Sequence, residues 1–204
     1  MAGSCCPVTT VFEHSNSLRE TPLDVPDPQW VLANSDCVAT AGEVQAGIAA
    51  VAEAINRDFA GQILRVAPLL NGALPFAGMV LPQLTMPVQV TALQVGRYGL
   101  HTRGQDLEWL SPVPDVRDET VLLLDDVLDE GITLTLVRSA LLAAGASRVI
   151  SAVLVEKNPL RSKPIQADYV ALTLPDRFLF GMGMDAFGWW RNLPAIHAVR
   201  EVDH

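Results

Sequence analysis

The chain has 204 residues, half of them apolar, and a formal charge of −9 at neutral pH. That length suits one domain with an appendage, and the apolar share is enough for a sizeable core. The acidic balance and the lack of a basic patch argue against nucleic acid as the main partner, and no apolar run reaches the ~20 residues of a membrane helix.

Met1 to Ser17 has neither a basic start nor an apolar core, so no signal peptide is expected and the cytoplasm is the expected compartment. Cys5, Cys6 and Cys37 lack metal-ligand spacing and fit a reducing compartment. His14, His101, His197 and His204 are scattered and form no ligand pattern. The first 30 or so residues hold Pro7, Pro22, Pro26 and Pro28 with little periodicity. They read as a flexible arm, with the arm taken as 1–35 and the folded domain as 36–204.

Gly42 to Phe59 carries Val44, Ile48, Val51 and Ile55 at helical spacing, which predicts an amphipathic helix. Ile63 to Leu70 reads as the first core strand. The Asn71-Gly72-Ala73 turn leads into a helix over Leu74 to Leu84. Val88 to Val95 reads as a second strand. The polar segment Gly96 to Asp118 exceeds the ~12 residues beyond which a loop is either functional or disordered.

Val121 to Leu124 is an apolar run without polar alternation, a strand buried on both faces. Asp125 and Asp126 follow at once, then Val127-Leu128, the turn Asp129-Glu130-Gly131-Ile132-Thr133, and a helix over Leu134 to Ala144. Arg148 to Val155 is the next strand and ends in Glu156-Lys157-Asn158-Pro159; Tyr169 to Leu174 is a further one.

Strand, acidic pair, glycine turn and helix in this order put the turn at a strand's carboxyl end, where open α/β sheets bind ligands. Turn N–H groups and a helix N-terminus favour an anion such as phosphate. The two carboxylates just before it suit the vicinal hydroxyls of a sugar carrying that phosphate. Carboxylates in this position also occur as solvated side chains or helix caps, but Asp125, Asp126 and Asp129 bring more negative charge than a cap needs. An acidic protein with an anionic substrate calls for a divalent cation on the phosphates. Lys157 and Lys163 are the only lysines, and Lys157, at the end of the neighbouring strand, is directed toward the same crevice as Asp129.

The stretch VLLLDDVLDEGITL, Val121 to Leu134, resembles the ribose-phosphate motif of the type I phosphoribosyltransferases: apolar strand, two acids, two apolar residues, Asp, a small turn, Thr. Other segments resemble the purine branch and, within it, the hypoxanthine-guanine phosphoribosyltransferases. Leu70-Asn71-Gly72 stands where the branch has a Lys- or Asn-Gly-Gly turn. Tyr98 follows Arg97, which replaces the usual Ser, and Lys157 follows its strand as in the branch. Pro175-Asp176-Arg177-Phe178, Gly181, Asp185, Trp189-Trp190 and Arg191 complete the pattern. The resemblance runs from about Ile63 to Val199.

This resemblance implies an α/β fold with a mostly parallel central sheet flanked by helices. A small hood from about 36–45 and 175–204 covers the site. The implied reaction is magnesium-dependent transfer of phosphoribosyl from 5-phosphoribosyl-1-pyrophosphate to hypoxanthine or guanine, giving IMP or GMP and pyrophosphate. Asp129 is the implied catalytic base. Asp125, Asp126, Glu130, Gly131, Ile132, Thr133 and Leu134 hold ribose and phosphate. Leu70, Asn71, Gly72, Arg97, Tyr98 and Arg191 meet pyrophosphate, Arg97-Tyr98 lying on a mobile flap. Lys157, Phe178, Leu179 and Asp185 hold the purine, and Asp185 with Asp125 and Asp126 lies by Mg2+. Phe180 and Trp190 are expected in the core. The implied assembly is a homo-oligomer, dimer or tetramer.

Four departures stand out: Ala73 for a second Gly, Arg97 for Ser, Glu130 for Thr or Ser, and Ile132 for Lys or Arg. A Glu facing phosphate would be repelled, so the Glu130 side chain is expected to point away. A xanthine-preferring enzyme, a non-catalytic sensor of the sugar phosphate with the same fold, and a different α/β nucleotide-binding transferase are the competing readings.

Overall fold

The computed structural model describes residues 26–97, 107–158, 160 and 162–200. Its centre is a seven-stranded sheet. The strands are β2 (Leu64–Leu70), β3 (Val88–Val90), β4 (Leu93–Arg97), β5 (Leu107–Trp109), β6 (Thr120–Leu128), β7 (Arg148–Lys157) and β8 (Tyr169–Leu174). They lie in the order β5-β4-β2-β6-β7-β8, with β3 also on β2, and every pair is parallel except β4 with β5. A second, antiparallel sheet joins β1 (Ser35–Ala39), β10 (Ile196–Val199) and β9 (Leu179–Phe180). This is the expected α/β architecture with its small hood. No helix among the described residues is long and apolar enough to cross a membrane.

The apolar run of β6 shows why the sheet must be covered on both faces. Leu122 and Leu124 pack with Ile150, Ala152 and Leu154 of β7 under helices α2 (Ala41–Asp58) and α3 (Leu74–Val80). Val121 and Leu123 pack the other way, with Val149 and Val153, under Leu134, Val137 and Leu141 of α4 (Ile132–Ala143). All four β6 side chains are fully buried. Truncating any of the three leucines among them to Ala costs roughly 2–5 kcal/mol.

Helix α2 begins with a reciprocal cap. The Thr40 hydroxyl accepts the Glu43 N–H, and the Glu43 carboxylate accepts the Thr40 N–H at 2.8 Å. That satisfies two of the orphan donors of the first turn.

Four expectations are corrected. The arm does not extend to residue 35, because α1 (Pro28–Ala33) and Ser35 of β1 already belong to the hood. Asp27 caps α1, accepting from the N–H groups of Gln29 and Trp30 at 2.9 Å, and Pro28 opens it. Val31 of this helix is buried against Phe180 and Ala186. Residues 1–25 lie outside the described residues.

The single strand expected over Val88 to Val95 is two. Strand β3 pairs the first half of β2 and β4 pairs its end, at Leu69 and Leu70. The long polar segment carries β5, whose Trp109 lies opposite Val95. Finally, β6 does not stop at Leu124. Its pairing with β7 continues to Leu128 opposite Glu156, so Asp125 and Asp126 sit within the strand rather than after it. The ladder to β7 keeps supplying backbone partners after the side chains turn polar.

Pairing of β6 with β2, in contrast, ends at Leu124 opposite Pro68. From there one edge of β6 is open toward the turn that leaves β2, and a crevice forms between them.

Candidate active site

A cavity of about 540 Å³ fills this crevice. On one side lies the Leu70-Asn71-Gly72 turn; across from it are Asp125, Asp126 and the Asp129–Leu134 turn, with Asp185 and Arg191 also on the wall. Every one of these residues was expected at the site, Asp129 as the base, Asp185 by the purine and metal and the others on ribose, phosphate or pyrophosphate, and the structure brings them together.

The β2 turn is built for close approach. The Leu70–Asn71 peptide is cis. A Cβ on Gly72 would overlap the Asp126 carboxylate, and one on Gly183 would overlap the Gly72 carbonyl. Gly183 has φ of 102°, which glycine alone adopts readily. The three residues interlock the β2 turn, β6 and the hood. Ala73, in contrast, has φ of −72° and starts α3 in ordinary helical geometry, so the missing second glycine is not needed.

Asp126 is held between these backbones. Burial pushes its carboxyl up from the usual range, while a hydrogen bond with Asp125 and the nearby Arg191 charge pull it down. Its own N–H donates to the Asp125 carboxylate at 3.0 Å. Arg191 is aimed by two acceptors, the Asp185 carboxylate at 2.5 Å and the Gly183 carbonyl at 2.6 Å. Asp185 also accepts the Gly188 N–H at 2.7 Å.

The turn expected to hold phosphate ends at Gly131, whose φ of 79° lets the chain reverse into α4 with no side-chain cap. A helix start of this kind presents backbone N–H groups and the positive end of the dipole. The Thr135 hydroxyl donates back to the Gly131 carbonyl at 2.7 Å and fixes the first turn. Glu130, expected to turn away, is exposed and still borders the cavity, where solvent screens its charge.

A second cavity, of about 420 Å³, lies beside Lys157, Asp176, Arg177, Phe178, Val199 and Arg200. The two spaces meet at one ion pair. Lys157 Nζ donates to Asp129 Oδ2 at 3.0 Å, with Asp176 at 3.7 Å on its other flank. Lys157 is largely buried and Asp129 more open.

Phe178 is half exposed and its ring stacks on Phe187, centroids 5.6 Å apart. Leu179 is buried in β9 and borders neither cavity. Phe180 is fully buried, and Trp190 packs beside it with its indole N–H on the Pro28 carbonyl at 2.6 Å. The Arg97 side chain and Tyr98 lie outside the described residues.

Two contributors escaped the sequence. Asp176 flanks Lys157, and its only signal was its place just before Arg177-Phe178. Phe187 backs Phe178 from a left-handed turn position, φ 53°, which no pattern marks.

Asp125, Asp126 and Asp185 do not converge as a ligand cage: among the described residues, no group of three or more acidic, His or Cys side chains is placed to hold a metal. Hard carboxylates on a shared wall do suit magnesium, which takes one or two of them and completes its shell with waters and substrate phosphates.

The phosphoribosyl transferase domain family matches residues 37–186, so the fold and its crevice are those of a phosphoribosyltransferase. A hypoxanthine-guanine phosphoribosyltransferase of Mycoplasma pneumoniae is 33% identical over 156 residues, covering 76% of this chain and 89% of that protein. The crystal structure of one from Bacillus anthracis superposes with a TM-score of 0.76 at 25% identity, over 81% of this chain and 98% of that one. A hypoxanthine phosphoribosyltransferase of Staphylococcus aureus, at 21% identity, shares the fold with a TM-score of 0.77 over 86% of this chain and 97% of that one. The chain belongs to the hypoxanthine-guanine phosphoribosyltransferase family and is an enzyme of phosphoribosyl transfer to purines.

Proposed function

We propose that this enzyme transfers phosphoribosyl from 5-phosphoribosyl-1-pyrophosphate to hypoxanthine or guanine, with magnesium, giving IMP or GMP and pyrophosphate. The observation that carries the reading is the Asp129–Lys157 contact. It joins an anion-binding turn to a cavity with a half-exposed aromatic ring.

In this reading the turn N–H groups, the α4 N-terminus and the Thr133 hydroxyl hold the 5-phosphate. Asp125 and Asp126 accept from the ribose hydroxyls. Arg191 and the Leu70–Gly72 turn meet pyrophosphate. Phe178 stacks on the purine, and Lys157 donates to its 6-oxo group. The bond from the anomeric carbon to pyrophosphate breaks, a ring nitrogen of the base bonds to that carbon, and the displaced ring proton goes to Asp129. Positive charge on the sugar ring during this step is stabilised by the nearby carboxylates. Asp185 with Asp125 or Asp126 would hold magnesium, which would supply positive charge against that of the leaving group. A 6-oxopurine entering between Asp129 and Lys157 exchanges their ion pair for one hydrogen bond to each. A cytoplasmic homo-oligomer goes with this reading, in keeping with the free thiol of Cys37.

The test is pyrophosphate release with magnesium and the sugar pyrophosphate. Turnover of hypoxanthine and guanine is expected. No turnover of either at any magnesium level, with the sugar pyrophosphate still bound, would make the chain a sensor of that compound.

A further inference from the structure

Lys163 lies outside every role assigned above, yet it is one of the chain's two lysines and the more buried, with 4% of its side chain exposed. It follows β7 in the loop toward β8. Its ammonium donates to the Lys157 carbonyl at 2.5 Å, the Leu128 carbonyl at 3.2 Å and the Glu156 carboxylate at 3.2 Å. An ammonium has three donors, and all three are used.

A partner for Glu156 alone would need only one of those bonds. The other two go to main-chain carbonyls, and their positions are specific. The β6–β7 ladder ends at Leu128 opposite Glu156. The residue after β6 is Asp129. The next on β7 is Lys157. Lys163 therefore ties the two strands together where their own pairing stops, one bond before the pair Asp129–Lys157 closes the loop from the other side. The residues after it reach further along the same turn: a Cβ on Gly131 would lie 3.0 Å from the Ile165 side chain and 3.5 Å from Pro164.

We infer that Lys163 is a positioning residue for the reaction. It sets the distance between the proton-accepting carboxylate and the base-reading ammonium, and the segment behind it braces the phosphate turn. This rests on the functional reading above. Lys163 itself touches no substrate. Its effect passes through the main chain of Leu128 and Lys157.

The test uses the full chain carrying Lys163→Met alone and Lys163→Met with Glu156→Gln, since the single change leaves a buried carboxylate uncompensated. Lysine-selective isotope labelling gives two side-chain ammonium signals in the wild type and one, Lys157, in either variant. In the double variant, folded with near-normal Tm, the Lys157 signal is expected to move toward that of free lysine. Its kcat is expected to fall about 10- to 100-fold, the scale of a misplacement near 1 Å, with KM for the sugar pyrophosphate within about threefold. If neither variant folds, the same signal is read in Lys163→Arg, which keeps a charge for Glu156 but not the three-way ammonium geometry, and an unmoved Lys157 overturns the inference. An unchanged Lys157 signal with kcat within about twofold of wild type in a folded double variant overturns it too. If the wild type turns over no 6-oxopurine, the functional reading falls, while the Lys157 signal still decides the positioning claim.

Discussion

The two halves of the site are made in different ways. In the proposed reading the phosphate half is backbone: a strand edge left open, a glycine at φ 79° and a helix N-terminus, all within Asp125 to Leu134. The base half is side chains gathered from β7, the segment after β8, and β10: Lys157, Asp176, Phe178 and the Arg177 and Arg200 that share Asp36. Backbone donors tolerate substitution of the side chains that carry them, so the first half has absorbed Glu130 and Ile132. The second has no such tolerance, because each contact depends on one side chain. Its parts are held by long-range pairs such as Arg177 to Asp36 at 2.8 Å.

The largest effect should come where the halves meet. Asp129→Asn keeps the shape and removes the base, so kcat is expected to fall by about 10²–10⁴ with a modest change in KM, read by steady-state pyrophosphate release. Wild-type kcat would mean that the proton leaves by another route.

Lys157→Met should divide the halves. A hydrogen bond from a charged donor is worth about 1.5–3 kcal/mol, so kcat/KM for the 6-oxopurine should drop roughly 10- to 100-fold. Binding of the sugar pyrophosphate, measured by calorimetry, should change little. Equal losses for both ligands would make Lys157 structural.

Within the phosphate half, smaller effects should rank by whether a donor is lost. Thr133→Val is expected to raise KM for the sugar pyrophosphate by about tenfold. Glu130→Thr should shift it only a few-fold, since an exposed charge is screened. The reverse ranking would mean that Glu130 faces the phosphate directly.

The smallest effect is one of stability, and it links function to cost. Burial raises the Asp126 carboxyl above its unfolded value of 3.8. A raised acid is most favourable below its unfolded pKa, and its contribution is lost as pH rises through the folded value. Asp126→Asn should therefore raise Tm near pH 7, with the gain vanishing below about pH 4, while it weakens ribose binding. A Tm lowered near pH 7 would show that the Arg191 charge outweighs burial.

How much of this was legible follows the same division. The apolar run Val121 to Leu124 and the acids after it announced the crevice, because a doubly covered strand and a glycine turn are both local patterns. The strand's true end at Leu128 was not local; it depends on a neighbour, β7, whose backbone continues the ladder. Helix α1 was hidden by the prolines around it, although Asp27 and Pro28 carried a start signal. Lys157 was placed at the crevice by its strand end, but its contact with the base, and Phe178 altogether, came only through resemblance. Asp176 was seen only as a motif member without a role and Phe187 not at all, since their roles depend on which segments the sheet order brings side by side. Lys163 looked like any loop lysine, and only the end of the β6–β7 ladder gives it a place.

The most direct test of a site split between a sugar-phosphate half and a 6-oxo-reading half is kcat/KM across hypoxanthine, guanine, xanthine and adenine in the wild-type enzyme. Hypoxanthine and guanine are expected to exceed adenine by at least about a hundredfold, because Lys157 loses its acceptor when the 6-oxo group is replaced by an amine. Adenine turned over as well as hypoxanthine would contradict the account.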